Sequence, residues 1–210
     1  MDRVERLERL REIRLERSRR RFWHFCQLLA PEFFCHVHLE KYCDALQAFW
    51  EGDGKVLLVQ MPPRHGKTRG LTLFFAWLLG RDPRTKIMYC SYNDDAASDT
   101  SRYVRDTIRA GKLSLEQFVY SDVFASRLEK DNKAVGKWAL EGQFFNMIAA
   151  GRDGTVTGKG ADLLCVDDPV KNSKEALSDL VSEQVWDWYV NTLLSRVEEG
   201  GKQIIVDTRG

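Results

Sequence analysis

The 210-residue sequence lacks most features that mark membrane, secreted or disulfide-stabilised proteins. It contains no apolar run of roughly 18 residues, the length a membrane-spanning helix needs, and its acidic, arginine-rich start is unlike a secretory signal peptide. It also has no excess of one charge, since 32 Lys and Arg face 31 Asp and Glu. We therefore expect a cytosolic globular protein whose overall charge does not select a polyanionic partner.

The five cysteines are odd in number and include no Cys-x-x-Cys pair. This pattern indicates reduced thiols that pack as small apolar residues. Cys26, Cys35 and Cys43 lie close in sequence to His36 and His38, but the spacing matches no standard zinc motif. The pattern therefore does not favour a metal site in this segment.

Charge is unevenly distributed along the chain. Residues 1–21 contain nine arginines and five acids, a net charge of +4, so the remaining residues carry −3 of the formal +1. Apolar residues recur at nearly helical spacing at Val4, Leu7, Leu10 and Ile13. We predict a charged helix that is solvated or packed against a partner; direct contact between its arginines and phosphate is the alternative.

The chain after this arm alternates helical patterns with short apolar runs. Residues 21–50 are rich in aromatic side chains and are predicted to be mostly helical, with a break at Ala30-Pro31. Strands are predicted at Lys55–Gln60, Lys86–Tyr92 and 161–167, the first buried on both faces. Helices are predicted from Gly66 to Gly80 and from Asn93 or Asp94 to Gly111.

The second half of the chain has a less regular pattern. Residues 112–150 predict a short helix and then two strands, within 133–140 and 143–149. A long helix follows, capped by Asn172 or Ser173 and ended by Gly200, and residues 202–210 predict a last strand. The aromatic residues of 183–194 are expected in the core rather than as a platform for nucleic-acid bases.

This alternation predicts an α/β fold with a mostly parallel sheet flanked by helices. We divide the chain into a helical N-terminal arm and cap, residues 1–50, and a core of residues 51–210. Ligands of such sheets bind beyond the carboxyl ends of the strands.

One such strand end carries the sequence Met-Pro-Pro-Arg-His-Gly-Lys-Thr, residues 61–68. It ends like a phosphate-binding loop, although Met61 stands where the usual motif has its first glycine. Gly66 would permit close backbone approach, Lys67 would reach the terminal phosphates and the Thr68 hydroxyl would bind Mg²⁺. We predict an ATP and Mg²⁺ site whose loop residues are Pro63, Arg64, His65, Gly66, Lys67 and Thr68.

Asp167 and Asp168 follow the third predicted strand, and so lie at the same edge of the sheet as the loop. Asp167 is assigned to the metal, directly or through water, and Asp168 to the attacking water. The alternative for such a pair is a helix-capping turn before Pro169.

Together these segments resemble the large subunit of tailed-phage and herpesvirus-type terminases, the ATP-driven motor that packs DNA into capsids. The resemblance covers most of the chain. Residues 61–68 are similar to the family's variant phosphate loop and "SYNDDAASDTSRYVRD" to its second strand and following helix. "GRDGTVTGKGADLLCVDDPVKN" is similar to its glycine-rich approach and acidic strand end, and "IIVDTR" to its coupling strand. The family's fold is a P-loop NTPase of the ASCE type.

The resemblance also implies roles for individual residues. Arg64 would sense or stabilise the terminal phosphate, and Thr208 with Arg209 would couple hydrolysis to movement. An arginine from the adjacent subunit of a ring is implied too, for which Arg152 is the candidate and Lys159 the second choice. A plain surface charge is the alternative for both.

The partners that the resemblance implies are double-stranded DNA, further copies in a ring, a portal and a small terminase subunit, in the cytoplasm of an infected bacterial host and without a membrane. The sequence departs from the family pattern twice. Asp168 stands where many related ATPases have the longer glutamate, and the family's nuclease domain is absent up to Gly210. We therefore expect a C-terminally truncated core, either a fragment or a truncated open reading frame, without nuclease activity.

Two other functions fit the same motif. A small-molecule kinase would use this loop to transfer phosphate to an acceptor. A nucleotide-gated assembly module would bind ATP without turnover.

Overall fold

The computed structural model of the protein describes residues 2–130, 134–152, 154, 156, 158–170, 175 and 177–208. In that part of the chain a six-stranded sheet is flanked by helices on both faces. The strands are β1 (Val56–Met61), β2 (Ile87–Ser91), β3 (Lys137–Trp138), β4 (Met147–Gly151), β5 (Ala161–Asp167) and β6 (Val197–Thr208). The helices are α1 (Arg3–Arg20), α2 (Phe22–Leu29), α3 (Val37–Glu51), α4 (Lys67–Arg81), α5 (Asp94–Arg109), α6 (Tyr120–Val123) and α7 (Asp179–Trp188).

The strand order across the sheet is β1-β6-β5-β2-β4-β3. Every neighbouring pair is parallel except β3 and β4, which are antiparallel. The carboxyl ends of the five parallel strands therefore meet at one edge of the sheet. The predicted α/β class and the mostly parallel sheet are confirmed.

The predicted N-terminal helices are also confirmed. The α1 helix begins at a capping box, in which Glu5 N–H donates to Asp2 Oδ1 and Asp2 N–H donates to Glu5 Oε2, both at 2.8 Å. The break at Ala30-Pro31 separates α2 from α3. The α5 helix begins at Asn93, whose side chain accepts a hydrogen bond from the Ala96 backbone.

Side chains alternate between the two faces of the sheet, as the period of a strand requires. In β2, Ile87 and Tyr89 belong to the larger core with α2, α3, α4 and α5, whereas Met88 and Cys90 belong to a smaller cluster on the other face. Trp188 and Tyr189 pack against that smaller cluster. The α1 and α7 helices consequently lie on opposite faces of the sheet.

Trp77 connects the N-terminal arm to the core. Its ring is fully buried and packs against Phe22 and Phe74. Its indole N–H donates to the Ser18 carbonyl at 2.9 Å. Residues 1–50 and the sheet therefore share one hydrophobic core.

The prediction that β1 is buried on both faces is wrong. Leu57, Val59 and Met61 face the core, but Val56 and Leu58 are exposed. β1 is an edge strand, and in the described part of the chain no helix covers the outer face of its exposed residues. A run of apolar residues is found both in central strands and in edge strands with one face exposed to solvent, so the sequence pattern does not distinguish them.

The predicted long helix is also shorter than its pattern suggests. The α7 helix begins after Ser178, whose hydroxyl accepts from the Val181 backbone, and the predicted caps Asn172 and Ser173 lie outside the described residues. A π-helical turn, Tyr189–Leu193, and a 3₁₀ turn, Leu194–Arg196, follow it. β6 then starts at Val197, because this residue pairs with Ala161 before a register shift in the β5–β6 ladder.

Two further predictions about burial hold only in part, since Trp188 and Tyr189 pack against the smaller cluster and Leu193 is buried. No residue of α7 is buried, and Trp186 is 63% exposed, because this helix has the sheet on one side only. Four cysteines are buried as expected, but Cys35 is exposed on the loop between α2 and α3. Among the described residues no three His, Cys, Asp or Glu side chains form a metal-binding group. No described helix combines the length and the apolar character needed to cross a membrane.

We predict that Trp77→Ala lowers the free energy of unfolding by about 3–5 kcal/mol, because it leaves a large cavity and frees α1 from the core. Trp186→Ala is the matched control and should cost less than about 1 kcal/mol, since this ring is mostly in solvent. Urea unfolding followed by far-UV circular dichroism measures both. Equal losses in the two variants would contradict the shared core.

Candidate functional site

The loop between β1 and α4 requires a glycine at position 66 for two reasons. Gly66 has a φ of 86°, in the left-handed region that favours glycine. A Cβ atom here would also lie 2.9 Å from Leu39 Cδ2 and 3.0 Å from Phe33 Cζ. The tight turn places the first backbone N–H groups of α4 at the carboxyl edge of the sheet, where an anion can bind them.

Lys67 is buried, and its ammonium group lies at the ends of three strands. Nζ donates to the Met61 carbonyl at 3.2 Å and to Thr208 Oγ1, and it lies 3.7 Å from Asp168 Oδ1. Thr208 Oγ1 in turn donates to Asp168 Oδ1 at 2.7 Å. A continuous polar chain therefore joins the loop lysine, the end of β6 and the end of β5.

Asp167 is the most buried acid of this group. Its Oδ2 accepts hydrogen bonds from Thr68 Oγ1 at 3.0 Å and from the Tyr89 hydroxyl at 2.8 Å. Thr100 supports Tyr89 by donating to its hydroxyl at 3.2 Å. The second oxygen, Oδ1, is buried and has no hydrogen-bond partner among the described residues. A buried carboxylate oxygen without a donor is suited to a cation.

Burial raises the pKa of Asp167 from 3.8 to about 6. The nearby charge of Asp168 also raises it, whereas the hydrogen bonds from Tyr89 and Thr68 and the charge of Lys67 lower it. Ionisation of Asp167 therefore costs free energy in the folded protein, because the effect of burial exceeds the stabilisation that its hydrogen-bond donors and Lys67 provide. A bound cation would offset that cost.

Two residues at this edge have strained backbones. Arg64 has a φ of 60° and Asp168 a φ of 44°, and they are the non-glycine residues with positive φ in the described part of the chain. The turn at Asp168 is held by its N–H, which donates to the Val206 carbonyl at 3.0 Å. Such conformations persist only where the surroundings enforce them, and they concentrate at functional sites.

These groups line an open cleft of ≈ 360 Å³ at the carboxyl ends of β1, β5 and β6. Its walls combine a cationic loop with the acidic end of β5. The lining residues are Phe33, Pro63, Arg64, Gly66, Lys67, Thr68, Arg69, Asp168 and Thr208. All the predicted loop residues except His65 are among them.

His65 and Arg152 lie outside the cleft lining. His65 Nδ1 lies 2.8 Å from the Pro63 carbonyl, and the ring packs against His38 at 5.6 Å. Arg152 follows β4, which is separated from β5 by β2, and its Nη1 is buried without a hydrogen-bond partner in the described chain. The ammonium of Lys159 lies 4.1 Å from the Phe144 ring centroid. Arg209 lies outside the described residues.

Sequence reasoning missed three residues of the site. Tyr89 holds Asp167, but a tyrosine within an apolar strand gave no signal other than burial. Phe33 and Arg69 line the cleft. Arg69 directly follows the Gly-Lys-Thr motif, so its position on the first turn of α4 could have been predicted from the motif. The position of Phe33 depends on how α3 packs and could not.

A comparison with protein families identifies the family to which the chain belongs. The family model described as "Terminase large subunit, T4likevirus-type, N-terminal" matches residues 58–207, which include the loop, both acids and most of β6. The chain belongs to the terminase large subunit family. No match was found among curated proteins.

The crystal structure of the HK97 bacteriophage large terminase has the same fold as this terminase chain. The two share 14% sequence identity with a TM-score of 0.51, over 83% of this chain and 33% of the HK97 chain. The chain thus spans about a third of the length of that terminase. At this identity the likeness concerns the arrangement of the sheet and helices.

The raised pKa of Asp167 predicts a pH-dependent stability. Because the folded chain holds this proton more tightly than the unfolded chain, the group's contribution to stability falls as the pH rises from 3.8 to about 6. An asparagine does not ionise, so Asp167→Asn removes this loss of stability. It should raise the free energy of unfolding by about 3 kcal/mol near pH 7.5 and by little near pH 4.

Urea unfolding in metal-free buffer at the two pH values measures this difference. Asp53→Asn, at an exposed position, is the control and should change stability at neither pH. A variant at position 167 that is less stable than the parent near neutral pH would contradict the assigned cost of burial.

Proposed function

We propose that this terminase chain binds ATP with Mg²⁺ in the cleft and hydrolyses it, on a P-loop NTPase core of the ASCE type. One observation carries the proposal. Thr68 and Asp167 are 99 residues apart in sequence but 3.0 Å apart in space, with Lys67 and Asp168 beside them. A phosphate-binding turn and a pair of acids thus meet at one edge of the sheet, where ligands of parallel sheets bind.

The residues present fit a magnesium ion. Mg²⁺ prefers oxygen ligands and keeps several waters, so one hydroxyl and one carboxylate are a sufficient protein contribution. Thr68 Oγ1 and the unpartnered Oδ1 of Asp167 are those ligands in our proposal. When bound, the ion neutralises negative charge on the phosphates.

The loop residues have separate tasks in this proposal. The N–H groups at the start of α4 and the Lys67 ammonium bind the phosphates, and Lys67 exchanges its contacts with Thr208 and the strand-end carbonyl for phosphate oxygens. Arg64, in the exposed part of the loop, contacts the terminal phosphate, where its planar guanidinium spreads positive charge over several oxygens. Pro63, which lines the cleft, and His65, which lies outside it, hold the shape of the turn.

Asp168 orients the attacking water by accepting its hydrogen bond. The strained turn fixes this carboxylate at the mouth of the cleft, beside Thr208. Since Asp168 is one methylene shorter than glutamate, the water must lie close to the end of β5. Thr208 contacts both Asp168 and Lys67, so loss of the phosphate contact at Lys67 or of the water at Asp168 would change the contacts at the end of β6.

Membership of the terminase family suggests that the energy of hydrolysis serves viral DNA packaging. We propose that the protein moves double-stranded DNA in the cytoplasm of an infected bacterium. Its partners would be further copies in a ring, a portal and a small terminase subunit. Arg152 remains our candidate for the arginine that acts on a neighbouring copy's phosphate.

Lys67→Ala should lower ATP turnover at least about 100-fold, because the cleft loses its central cation. Phosphate release with Mg²⁺ and double-stranded DNA, but without any small-molecule acceptor, is the measurement. Lys41→Ala is the matched control, since this lysine is exposed on α3 and outside the cleft lining. Normal turnover in Lys67→Ala, with unchanged circular dichroism in both variants, would refute the assignment.

Asp168→Asn separates hydrolysis from binding. It should lower turnover about 100-fold while changing the affinity for a fluorescent ATP analogue less than about tenfold, because the amide cannot orient water as the carboxylate does. Phosphate release that requires an added acceptor would instead favour a kinase. ATP binding without turnover in the parent chain, even at high protein concentration with DNA, would favour an assembly module.

A further inference from the structure

Tyr89 is a fully buried tyrosine in the middle of β2, and its hydroxyl lies next to the acid that ends β5. The residue is 1% exposed. Its hydroxyl donates to Asp167 Oδ2 at 2.8 Å, and Thr100 Oγ1 on α5 donates to the same hydroxyl at 3.2 Å. Phe75 contacts the ring edge to face, at a centroid distance of 5.9 Å. The surrounding structure therefore fixes both the ring and the hydroxyl of this tyrosine.

The chemistry of the end groups fixes the direction of these hydrogen bonds. An ionised carboxylate only accepts, so the proton of Tyr89 lies toward Asp167 Oδ2, and the proton of Thr100 then lies toward the Tyr89 oxygen. Burial and the charge of Asp167 raise the pKa of Tyr89 well above its usual value, so the hydroxyl stays a donor. The donor from Thr100 polarises the Tyr89 hydroxyl, which strengthens its bond to the carboxylate.

These contacts distinguish the two oxygens of Asp167. Oδ2 receives both hydroxyls, from Thr68 at 3.0 Å and from Tyr89, whereas Oδ1 is buried and has no hydrogen-bond partner among the described residues. The two oxygens of a carboxylate are chemically equivalent, so only their surroundings decide which one is left for a cation. Thr68 is itself a ligand of the ion in the proposed site. Tyr89 is thus the donor to Oδ2 that is not also a ligand.

We propose that Tyr89, supported by Thr100, is a positioning residue that sets the affinity of the cleft for Mg²⁺, because it holds Asp167 Oδ2 and leaves Oδ1 for the ion. This inference rests on the proposed function, since it concerns the metal that accompanies ATP there. The hydrogen bond from Tyr89 favours the ionised carboxylate, which is the form that binds a cation, and it orients that carboxylate. Tyr89 itself is not among the residues that line the cleft.

A purely structural role for the hydroxyl, which would only satisfy a buried acid, is the alternative. Tyr120 provides the comparison, because it is also fully buried and its hydroxyl lies 2.6 Å from Ser126 Oγ. Tyr120 is on α6, and neither it nor Ser126 lines the cleft. Tyr89→Phe and Tyr120→Phe each remove one buried hydroxyl, so a loss of stability does not separate the two roles. A measurement that depends on the metal does.

The affinity for a fluorescent, non-hydrolysable ATP analogue, measured with Mg²⁺ and again with EDTA, tests the proposal. The ratio of the two dissociation constants gives the gain in affinity that the metal provides. Tyr89→Phe should lower this gain about tenfold and leave the affinity in EDTA unchanged, because it releases a metal ligand from its hydrogen bond. Thr100→Val should lower the gain less, and Thr100→Ser, which keeps the hydroxyl, should leave it at the parent value. Tyr120→Phe is the matched control and should change neither dissociation constant.

A double-mutant cycle with Asp167→Asn assigns the effect to this acid. In that background Tyr89→Phe should not change the gain from Mg²⁺ further, because the group that it positions is no longer a carboxylate. If the parent gains affinity from Mg²⁺ and Tyr89→Phe gains as much, the inference is overturned while the proposed function stands. Equal losses with Mg²⁺ and with EDTA would assign a structural role to Tyr89 and also overturn it. A parent that gains nothing from Mg²⁺ would overturn the proposed metal site together with this inference.

Discussion

The buried carboxylate of Asp167 is the interaction on which the candidate site depends. Its Oδ2 receives hydrogen bonds from Thr68 at the start of α4 and from Tyr89 in β2, so one acid at the end of β5 joins three elements of the fold. The ionised group is costly to bury, as its raised pKa shows. The hydroxyls of Tyr89 and Thr68 and the ammonium group of Lys67 reduce that cost only in part, and Oδ1 has no hydrogen-bond partner among the described residues.

The parallel sheet makes this meeting possible. In the order β1-β6-β5, the last described strand lies between the first strand and the acidic strand. Thr208 at the end of β6 therefore contacts both Lys67 and Asp168. A residue at the end of the described chain thus lines the cleft and connects the loop lysine to the acid that follows β5.

The two faces of the sheet are covered unequally. Helices α1 to α6 bury one face in a core that contains Trp77, while the other face has α7 and a small cluster. Val56, Leu58 and Trp186 remain exposed on that side. Burial predictions were wrong at these residues because hydrophobic pattern reports what a side chain favours, whereas exposure depends on which elements lie above it.

The sequence by itself determined the helices with strong periodicity, the start of α5 at Asn93 or Asp94, the α/β class and the phosphate-loop motif around Lys67. These features rest on local chemistry, since turn geometry, helix capping and the strand–turn–helix context are encoded within a few residues. Only the tertiary structure decided that Tyr89 supports Asp167, that Thr208 joins Lys67 to Asp168, and that α1 and α7 lie on opposite faces. Such contacts join residues far apart in the chain, and they depend on strand order, which no local pattern specifies.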